Sequence, residues 1–312
     1  MPSPGIGAGG FVGIALEVTP GIYVAPTKYV PVLSENLDYK QATQWRRPIR
    51  ASADVQGAVA GDSVIGGDIK IEALSDCVPY FLYCARTTPV KSGLAPYTYV
   101  FKPNALAIPS RTMSITVIRN GVIFGYVGCV VSNFTFTINN GMLEMSMTIL
   151  GRDETVQTLP VATWGIATPF GAGMYQVQIP TATQVFDTDK FTFKVEDGGV
   201  AEYRLKNTGT GAQFVRYGER SVSFDCERDF MDRVEYDLFK ALTAQSVTLI
   251  ASKGVNESIT FVVPVGIKDT YEVNGLAGQG DLLRAAVKYN GTVDATGNTY
   301  TLTVVTPTES IT

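Results

Sequence analysis

Alternation of apolar and polar positions is clearest between residues 113 and 150. The first alternating stretch ends at Asn120-Gly121, a pair that readily adopts the positive φ values of a tight hairpin turn. A second turn signal, Asn139-Asn140-Gly141, separates the next two stretches. The pattern predicts a three-stranded antiparallel meander.

A short strand and an amphipathic helix are predicted upstream of the meander. Residues 68–71 alternate as a strand does, and apolar residues between Leu74 and Ala85 recur at the i, i+3, i+4, i+7 spacing of a helix with one buried face. Pro79 lies close enough to the helix start to be tolerated. Residues 97–101 predict one more strand before the meander.

The second half repeats this order of elements. A short strand is expected at 221–224, and Asp229 is the expected N-cap of the following helix. Strands are expected again at 246–250, 258–265 and 282–289. The apolar stripe of the second helix comprises Met231, Val234, Leu238 and Leu242.

Two occurrences of strand, helix, hairpin and strand predict a duplicated structural unit. The expected boundaries are a first β unit at 1–158, a linker at 159–173 and a second β unit at 174–312. Prolines and glycines cluster around Trp164 in the linker. The fold class predicted is mainly β, a β-rich α+β chain of two β-sandwich units that each carry a flanking helix.

The stretch 41–67 is interpreted as a loop too long for an ordinary connection in a compact domain. It contains Trp45, Arg46, Arg47 and Arg50. Trp and Arg are over-represented where interfaces bury surface. We therefore predict that these four residues contact another subunit.

Composition excludes several functions. The chain has 312 residues, 45% of them hydrophobic and 17% charged, as folded proteins do. It lacks a run of eighteen apolar residues and the features of a signal peptide, so neither a membrane span nor secretion is expected. A net charge of −4 gives no sign of a basic face for binding nucleic acid.

The absence of histidine excludes Ser-His-Asp and Cys-His catalysis and removes the commonest imidazole metal ligand. Asp225 with Glu227, and Asp153 with Glu154, are the carboxylate pairs that a glycosidase could use. Turn and capping roles explain them equally simply. We predict no catalysis, no metal and no cofactor.

Four cysteines without a C-x-x-C spacing predict free, structural thiols. The segment 5–10 matches the dinucleotide-binding pattern G-x-G-x-x-G, but a strand and not a helix is expected after it. It is interpreted instead as a flexible arm that becomes ordered on assembly. The arm candidates are Gly7, Gly9, Gly10 and Phe11.

Several segments resemble the major tail tube proteins of long, non-contractile-tailed, siphovirus-type bacteriophages. They are GAGGFVGIALE at 7–17, the stretch 19–28, QWRRPIR at 44–50 and FGYVGC at 124–129. The resemblance is strongest over 5–155 and continues in the second half through the order of elements.

The resemblance implies a virion protein that assembles in the host cytoplasm into stacked rings. Double-stranded DNA leaves the capsid through the resulting tube without specific binding. Six β units would form a continuous inner barrel, supplied preferably by three two-unit chains and alternatively by six chains. Tape measure, tail terminator and distal tail proteins are the other implied partners.

A geometric estimate agrees with a DNA conduit. Four strands from each of six units, at about 4.8 Å spacing and a tilt near 40°, close a barrel about 48 Å across, with roughly 38 Å between side chains. The alternative function is a carbohydrate-binding tail or baseplate module. Its candidate sugar platform is the alternating set Tyr97, Tyr99 and Phe101.

Overall fold

Strands and helices of the first half follow the predicted order. The computed structural model describes residues 10–49, 54–158, 160–165, 167–180, 182–204, 209–275 and 282–311. Its first-half elements are β1 (Phe11–Leu16), β2 (Lys28–Val30), β3 (Val32–Glu35), β4 (Asp38–Trp45), β5 (Ala58–Glu72), α1 (Val78–Tyr83), β6 (Thr87–Ser92), β7 (Tyr97–Pro103), β8 (Met113–Arg119), β9 (Val122–Asn139), β10 (Met142–Gly151) and β11 (Asp153–Thr155).

The second half adds ten strands and one helix. They are β12 (Tyr175–Gln178), β13 (Gln184–Val185), β14 (Thr188–Glu196), β15 (Val200–Glu202), β16 (Phe214–Arg216), β17 (Ser221–Asp229), α2 (Val234–Lys240), β18 (Gln245–Ser252), β19 (Ser258–Val273), β20 (Arg284–Thr292) and β21 (Thr301–Thr306). Strands dominate, so the predicted mainly β fold is confirmed.

The predicted meander is formed by β8, β9 and β10, which pair antiparallel in sequence order. Its two turns have positive φ at both central residues. The values are 52° at Asn120, 79° at Gly121, 48° at Asn140 and 75° at Gly141. Turns of this kind match the twist of the flanking strands and set the register.

Helix α1 is shorter than its apolar stripe suggested. Its first turn contains Pro79, and Val78, Phe81 and Leu82 are buried. The helix packs against β6, β7 and β9. Its buried face therefore packs on these three strands.

Helix α2 differs from the prediction in its cap and in its apolar stripe. Asp229 ends β17, and Asp232 instead accepts a hydrogen bond from the Val234 N–H at 2.8 Å. No residue of α2 is buried, and Met231, Val234 and Leu242 are exposed. These three residues of the predicted stripe do not face the core, because α2 packs chiefly against β19, whereas α1 packs against β6, β7 and β9.

The same strand pairings occur in both halves. In the first half β1 pairs with β8, β8 with β9, β9 with β10, β10 with β5 and β5 with β4. In the second half β12 pairs with β18, β18 with β19, β19 with β20, β20 with β17 and β17 with β14. The topology of the first half thus recurs in the second.

The β-bulges in these strand pairs also occur at equivalent positions in the two halves. Ser132 is the extra residue of β9 opposite β10, and Asp269 is the extra residue of β19 opposite β20. Leu33 bulges from β3 opposite β5, as Asp189 bulges from β14 opposite β17. Because a bulge marks one position in a register, the two halves share register as well as topology.

One long antiparallel sheet runs through both halves in the order β4-β5-β10-β9-β14-β17-β20-β19. The halves join where β9 pairs with β14, with Phe136 opposite Phe193. They join again where β7 pairs with β21. Aromatic rings fill the core between the layers, and the Phe136 and Phe261 centroids are 4.6 Å apart.

The stretch 41–67 is not a loop, so that prediction is wrong. Strands β4 and β5 pair as far as Trp45 opposite Ala58, and both are largely exposed along this length. Its described residues form a projecting hairpin, here called the β4–β5 arm (residues 41–49 and 54–61). Its polar, small-residue sequence hid the strands because neither face of the arm packs on a core.

Among the described residues of 159–173, no helix or strand forms. The segment nevertheless packs on the first half. The Trp164 ring lies 6.2 Å from Phe11 and 6.4 Å from Tyr29, both in edge-on geometry. The predicted linker is therefore held against the first half by aromatic contacts of Trp164.

Candidate functional site

The long sheet has one apolar face and one polar face. A row of residues opposite one another across seven strands of the polar face comprises Glu72, Glu144, Thr137, Thr192, Asp225, Lys288 and Thr270. The adjacent row points into the core and comprises Ile71, Met145, Phe136, Phe193, Phe224 and Tyr289. This is the alternation expected of a sheet with one face on a core and one in water.

Four lysines on the polar face are paired with carboxylates of the same face. The pairs are Lys70–Glu144, Lys190–Glu227 and Lys194–Glu196, each at 2.7 Å, and Lys288–Asp269 at 3.5 Å. Hydrogen bonding to Lys194 lowers the pKa of Glu196, so this carboxylate is charged at neutral pH. The face is hydrophilic without presenting an array of unpaired positive charge.

Asp225 and Glu227, the predicted glycosidase pair, lie on this face two residues apart in β17. Burial raises the pKa of Asp225, whereas hydrogen bonding to Lys190 lowers the pKa of Glu227. Glu227 also lies 3.6 Å from Arg284. Glu227 belongs to the set of paired charges on this face, whereas the Asp225 carboxylate accepts a hydrogen bond from the Ser223 hydroxyl at 3.5 Å. Phe191, which lines the groove beside both carboxylates, is buried.

The two ends of the long sheet are edges. Among the described strands, β3 and β4 pair only with β5, and residues 267–273 of β19 pair only with β20. Asp38, Glu272 and Val273 on these edges are exposed. Sequence reasoning did not find these edges, because alternation identifies a strand but not the number of its neighbours.

A buried charge cluster ties the two halves together beside the β9–β14 pairing. The Arg220 Nε donates to the Asp197 carboxylate at 2.6 Å, and Arg86 of the first half lies 3.6 Å from the same group. The backbone N–H of Asp197 donates to the Asn133 side chain at 3.0 Å. Burial raises the pKa of Asp197 despite both guanidinium groups.

Predicted contact residues lie at the tip of the β4–β5 arm. Trp45 is 62% exposed, and Arg46 and Arg47 are exposed beside it. The Arg46 N–H donates to the Gly57 carbonyl at 2.8 Å, which fixes the backbone of the tip. Arg50 lies outside the described residues. The structure therefore brings three of the four together on a protruding element.

The predicted glycine arm is described only at its end. Gly7 and Gly9 lie outside the described residues, and Gly10 is exposed. Phe11 begins β1 and packs 5.8 Å from Tyr29. It belongs to the sheet and not to a free arm, because its strand pairs with β8 over its full length.

The aromatic set of the alternative function does not form a surface platform. Tyr99 and Phe101 are buried, and the Tyr99 hydroxyl accepts a hydrogen bond from the Ser310 N–H at 3.0 Å. Tyr97 is half-buried in the same strand. The sugar-binding interpretation of these residues is wrong, since β7 pairs with β21 and turns this face into the core.

All four cysteines are free and buried, namely Cys77, Cys84, Cys129 and Cys226. Burial raises the pKa of Cys226 to about 12, so its thiol is not a nucleophile near neutral pH. No cluster of three or more potential metal ligands occurs in the part of the chain that the structure describes. Neither described helix has the length and apolar character needed to cross a membrane.

Comparison with known proteins agrees with this architecture. The family model for phage tail tube proteins matches residues 7–304, which is nearly the whole chain. No curated protein matches the sequence. The family is a structural component of the phage virion and not an enzyme family. The chain belongs to the phage tail tube protein family.

Proposed function

We propose that the chain is the major tail tube subunit of a siphovirus-type phage. Three copies close into a pseudo-hexameric ring, and rings stack into a hollow tube through which double-stranded DNA leaves the capsid. The observation that carries the proposal is the long sheet with one polar face and two unpaired edges. A homohexamer is the alternative ring.

Strand number supports three chains per ring. The long sheet contributes eight strands per chain, so three chains supply about 24 strands, the number that closes a barrel about 48 Å across at the usual spacing and tilt. Six such chains would close a barrel about twice as wide. One topology recurs in both halves, with the unit boundaries near 158 and 174. Each chain would therefore fill two of the six equivalent unit positions in the ring.

The polar face is the proposed lining of the bore. Four of its lysines are paired with neighbouring carboxylates, as Lys70 is with Glu144. A wall with unpaired cations would bind phosphates through counterion release and slow the passage of DNA. A hydrated wall of paired charges instead lets the duplex pass without specific binding.

Imaging the purified chain by negative-stain electron microscopy, with its solution mass measured alongside, tests the proposal. Rings or tubes with a mass of three chains per ring are expected. Rings of six chains would favour the homohexamer. A monodisperse monomer at high concentration, also after addition of tail terminator or distal tail proteins as initiators, would contradict the proposal and favour a binding module.

The β4–β5 arm is the proposed contact between rings. Replacing Arg46 and Arg47 by Ala is expected to leave the protein folded and to abolish tubes, because both side chains lie on an arm outside the core. Circular dichroism and electron microscopy measure the two properties. Lys102→Ala, which removes an exposed cation of β7, is the control and should form tubes. Normal tubes from the double variant would show that the arm does not make the contact between rings.

A further inference from the structure

The internal joint between the halves shows how two copies of this unit pair. At the joint, β9 and β14 run antiparallel with Phe134 opposite Val195 and Phe136 opposite Phe193. Polar residues alternate with these apolar ones, and Thr135 lies opposite Lys194. The joint therefore continues both the core and the polar face from one half into the next.

Each strand of the joint has a counterpart at a free edge. The bulges at Ser132 and Asp269 make β9 equivalent to β19, so Phe134 and Phe136 correspond to Tyr271 and Val273. The edge of β19 therefore presents the same alternation as the strand that β14 pairs with inside the chain.

The other strand of the joint matches the opposite edge. The bulges at Leu33 and Asp189 make β3 and β4 together equivalent to β14. Leu37 then corresponds to Phe193, and Tyr39 corresponds to Val195. The β19 edge thus resembles β9 of the internal joint, and the β3–β4 edge resembles β14.

We propose that the β19 edge of one copy pairs antiparallel with the β3–β4 edge of a second copy in the register of the internal joint. Tyr271 then lies opposite Tyr39, and Val273 lies opposite Leu37. On the polar face, Glu272 lies opposite Asp38 and Thr270 opposite Lys40. The inference rests on the proposed ring and names the strands and residues that close it.

The surface at the two edges supports a second copy as the occupant. The register places the Asp38 and Glu272 carboxylates opposite one another, which is unfavourable, but the Arg119 guanidinium lies 3.8 Å from Asp38 and offsets the repulsion. The register puts the Lys40 ammonium diagonal to the Glu272 carboxylate, within reach of a long side chain. Val273, 39% exposed on one edge, would be covered by the other edge. Because the two edges differ, the contact is head-to-tail, and such contacts generate closed rings when the rotation between copies closes.

A groove beside the β3–β4 edge is an independent reason to expect a second copy at this edge. In the second half, a groove lined by Val177, Phe191 and Leu249 also includes Ile138 and Gly141, which come from the end of the β9–β10 hairpin of the first half. In the first half, a groove of about 590 Å³ is lined by the equivalent positions Val12, Glu35 and Val117, and none of the described residues that line it comes from the end of the β9–β10 hairpin. Pairing in the proposed register brings the end of β19 of the second copy to this groove.

Disulfide cross-linking tests the register. Asp38→Cys combined with Glu272→Cys should give covalent oligomers under mild oxidation, because opposed Cα atoms in an antiparallel pair lie about 4.5–5.5 Å apart, within disulfide range. If three chains close the ring, the ladder on a denaturing gel ends at three. Thr135→Cys with Lys194→Cys is the matched internal control, and it should link within one chain without a gain in mass.

Lys40→Cys with Asn274→Cys is the register control, since the proposed pairing separates these positions by four residues along the strands. It should not cross-link. If this pair links and Asp38→Cys with Glu272→Cys does not, the proposed register is wrong. If tubes form and neither pair links while the internal control does, the edges do not pair and only the ring proposal survives. Absence of rings in every variant and in the parent chain would overturn both proposals.

Discussion

Replacing Asp197 by Ala is expected to lower the free energy of unfolding by about 3–5 kcal/mol. The Asp197 side chain is 1% exposed, and the Arg220 and Arg86 side chains beside it are nearly buried. Truncation leaves two largely buried guanidinium groups without a counter-charge. The loss is large for that reason, although burial makes the intact pair itself only weakly favourable.

Urea denaturation at pH 7 measures this loss. Asp197→Asn keeps a hydrogen-bond acceptor for Arg220 and should fall between the parent chain and the alanine variant. Asp237→Ala is the matched control, because its ion pair with Arg233 is exposed and contributes less than about 1 kcal/mol. If Asp197→Ala were as stable as Asp237→Ala, the cluster would not hold the two halves together.

The second large effect is expected for Glu235→Gln. The Lys268 side chain is 1% exposed, and its ammonium contacts the Glu235 carboxylate and donates to the Glu235 backbone carbonyl at 3.0 Å. Burial alone would raise the pKa of Glu235, but hydrogen bonding to Lys268 and the charge of Arg228 outweigh it, so this pKa is lowered. The neutral variant keeps hydrogen-bond acceptors for the buried ammonium but removes its counter-charge, and should cost about 1.5–3 kcal/mol at pH 7.

This cost depends on pH in a defined direction. A carboxyl group with a lowered folded-state pKa stabilises the fold above its unfolded value, near 4.5, and loses that contribution as the pH falls through the folded pKa. The stability difference between the parent chain and Glu235→Gln should therefore shrink below about pH 4. Urea denaturation at pH 7, 5 and 3.5 checks this, and a constant difference across the series would contradict it.

Local signals explain what was predictable in the fold. The meander follows from Asn-Gly turns that set both hairpin registers and from a polarity period of two, which needs no distant contact. The recurrence of strand, helix and hairpin was visible for the same reason. The contact role of Trp45, Arg46 and Arg47 stays a prediction, and the structure places them at the tip of one arm.

Misassigned elements share a different cause. The β4–β5 arm is paired but packs on no core, so its sequence has no apolar alternation to reveal the strands. Helix α2 has an apolar stripe but packs chiefly against the single strand β19, so the stripe is exposed at Val234 and Leu242. Tyr99 and Phe101 were misassigned in the opposite direction, as exposed residues. They are buried in β7, which pairs with β21 from the second half of the chain.

The sequence by itself determined the strand-rich class, the tight turns, the absence of histidine chemistry and the repeated order of elements, since each depends on neighbours along the chain. Only the tertiary structure decided that β9 pairs with β14, that Asp197 lies between two arginines, and that β19 and β3–β4 are left as edges. These features depend on contacts between residues far apart in sequence. No local pattern of polarity encodes which of many compatible strands becomes the partner.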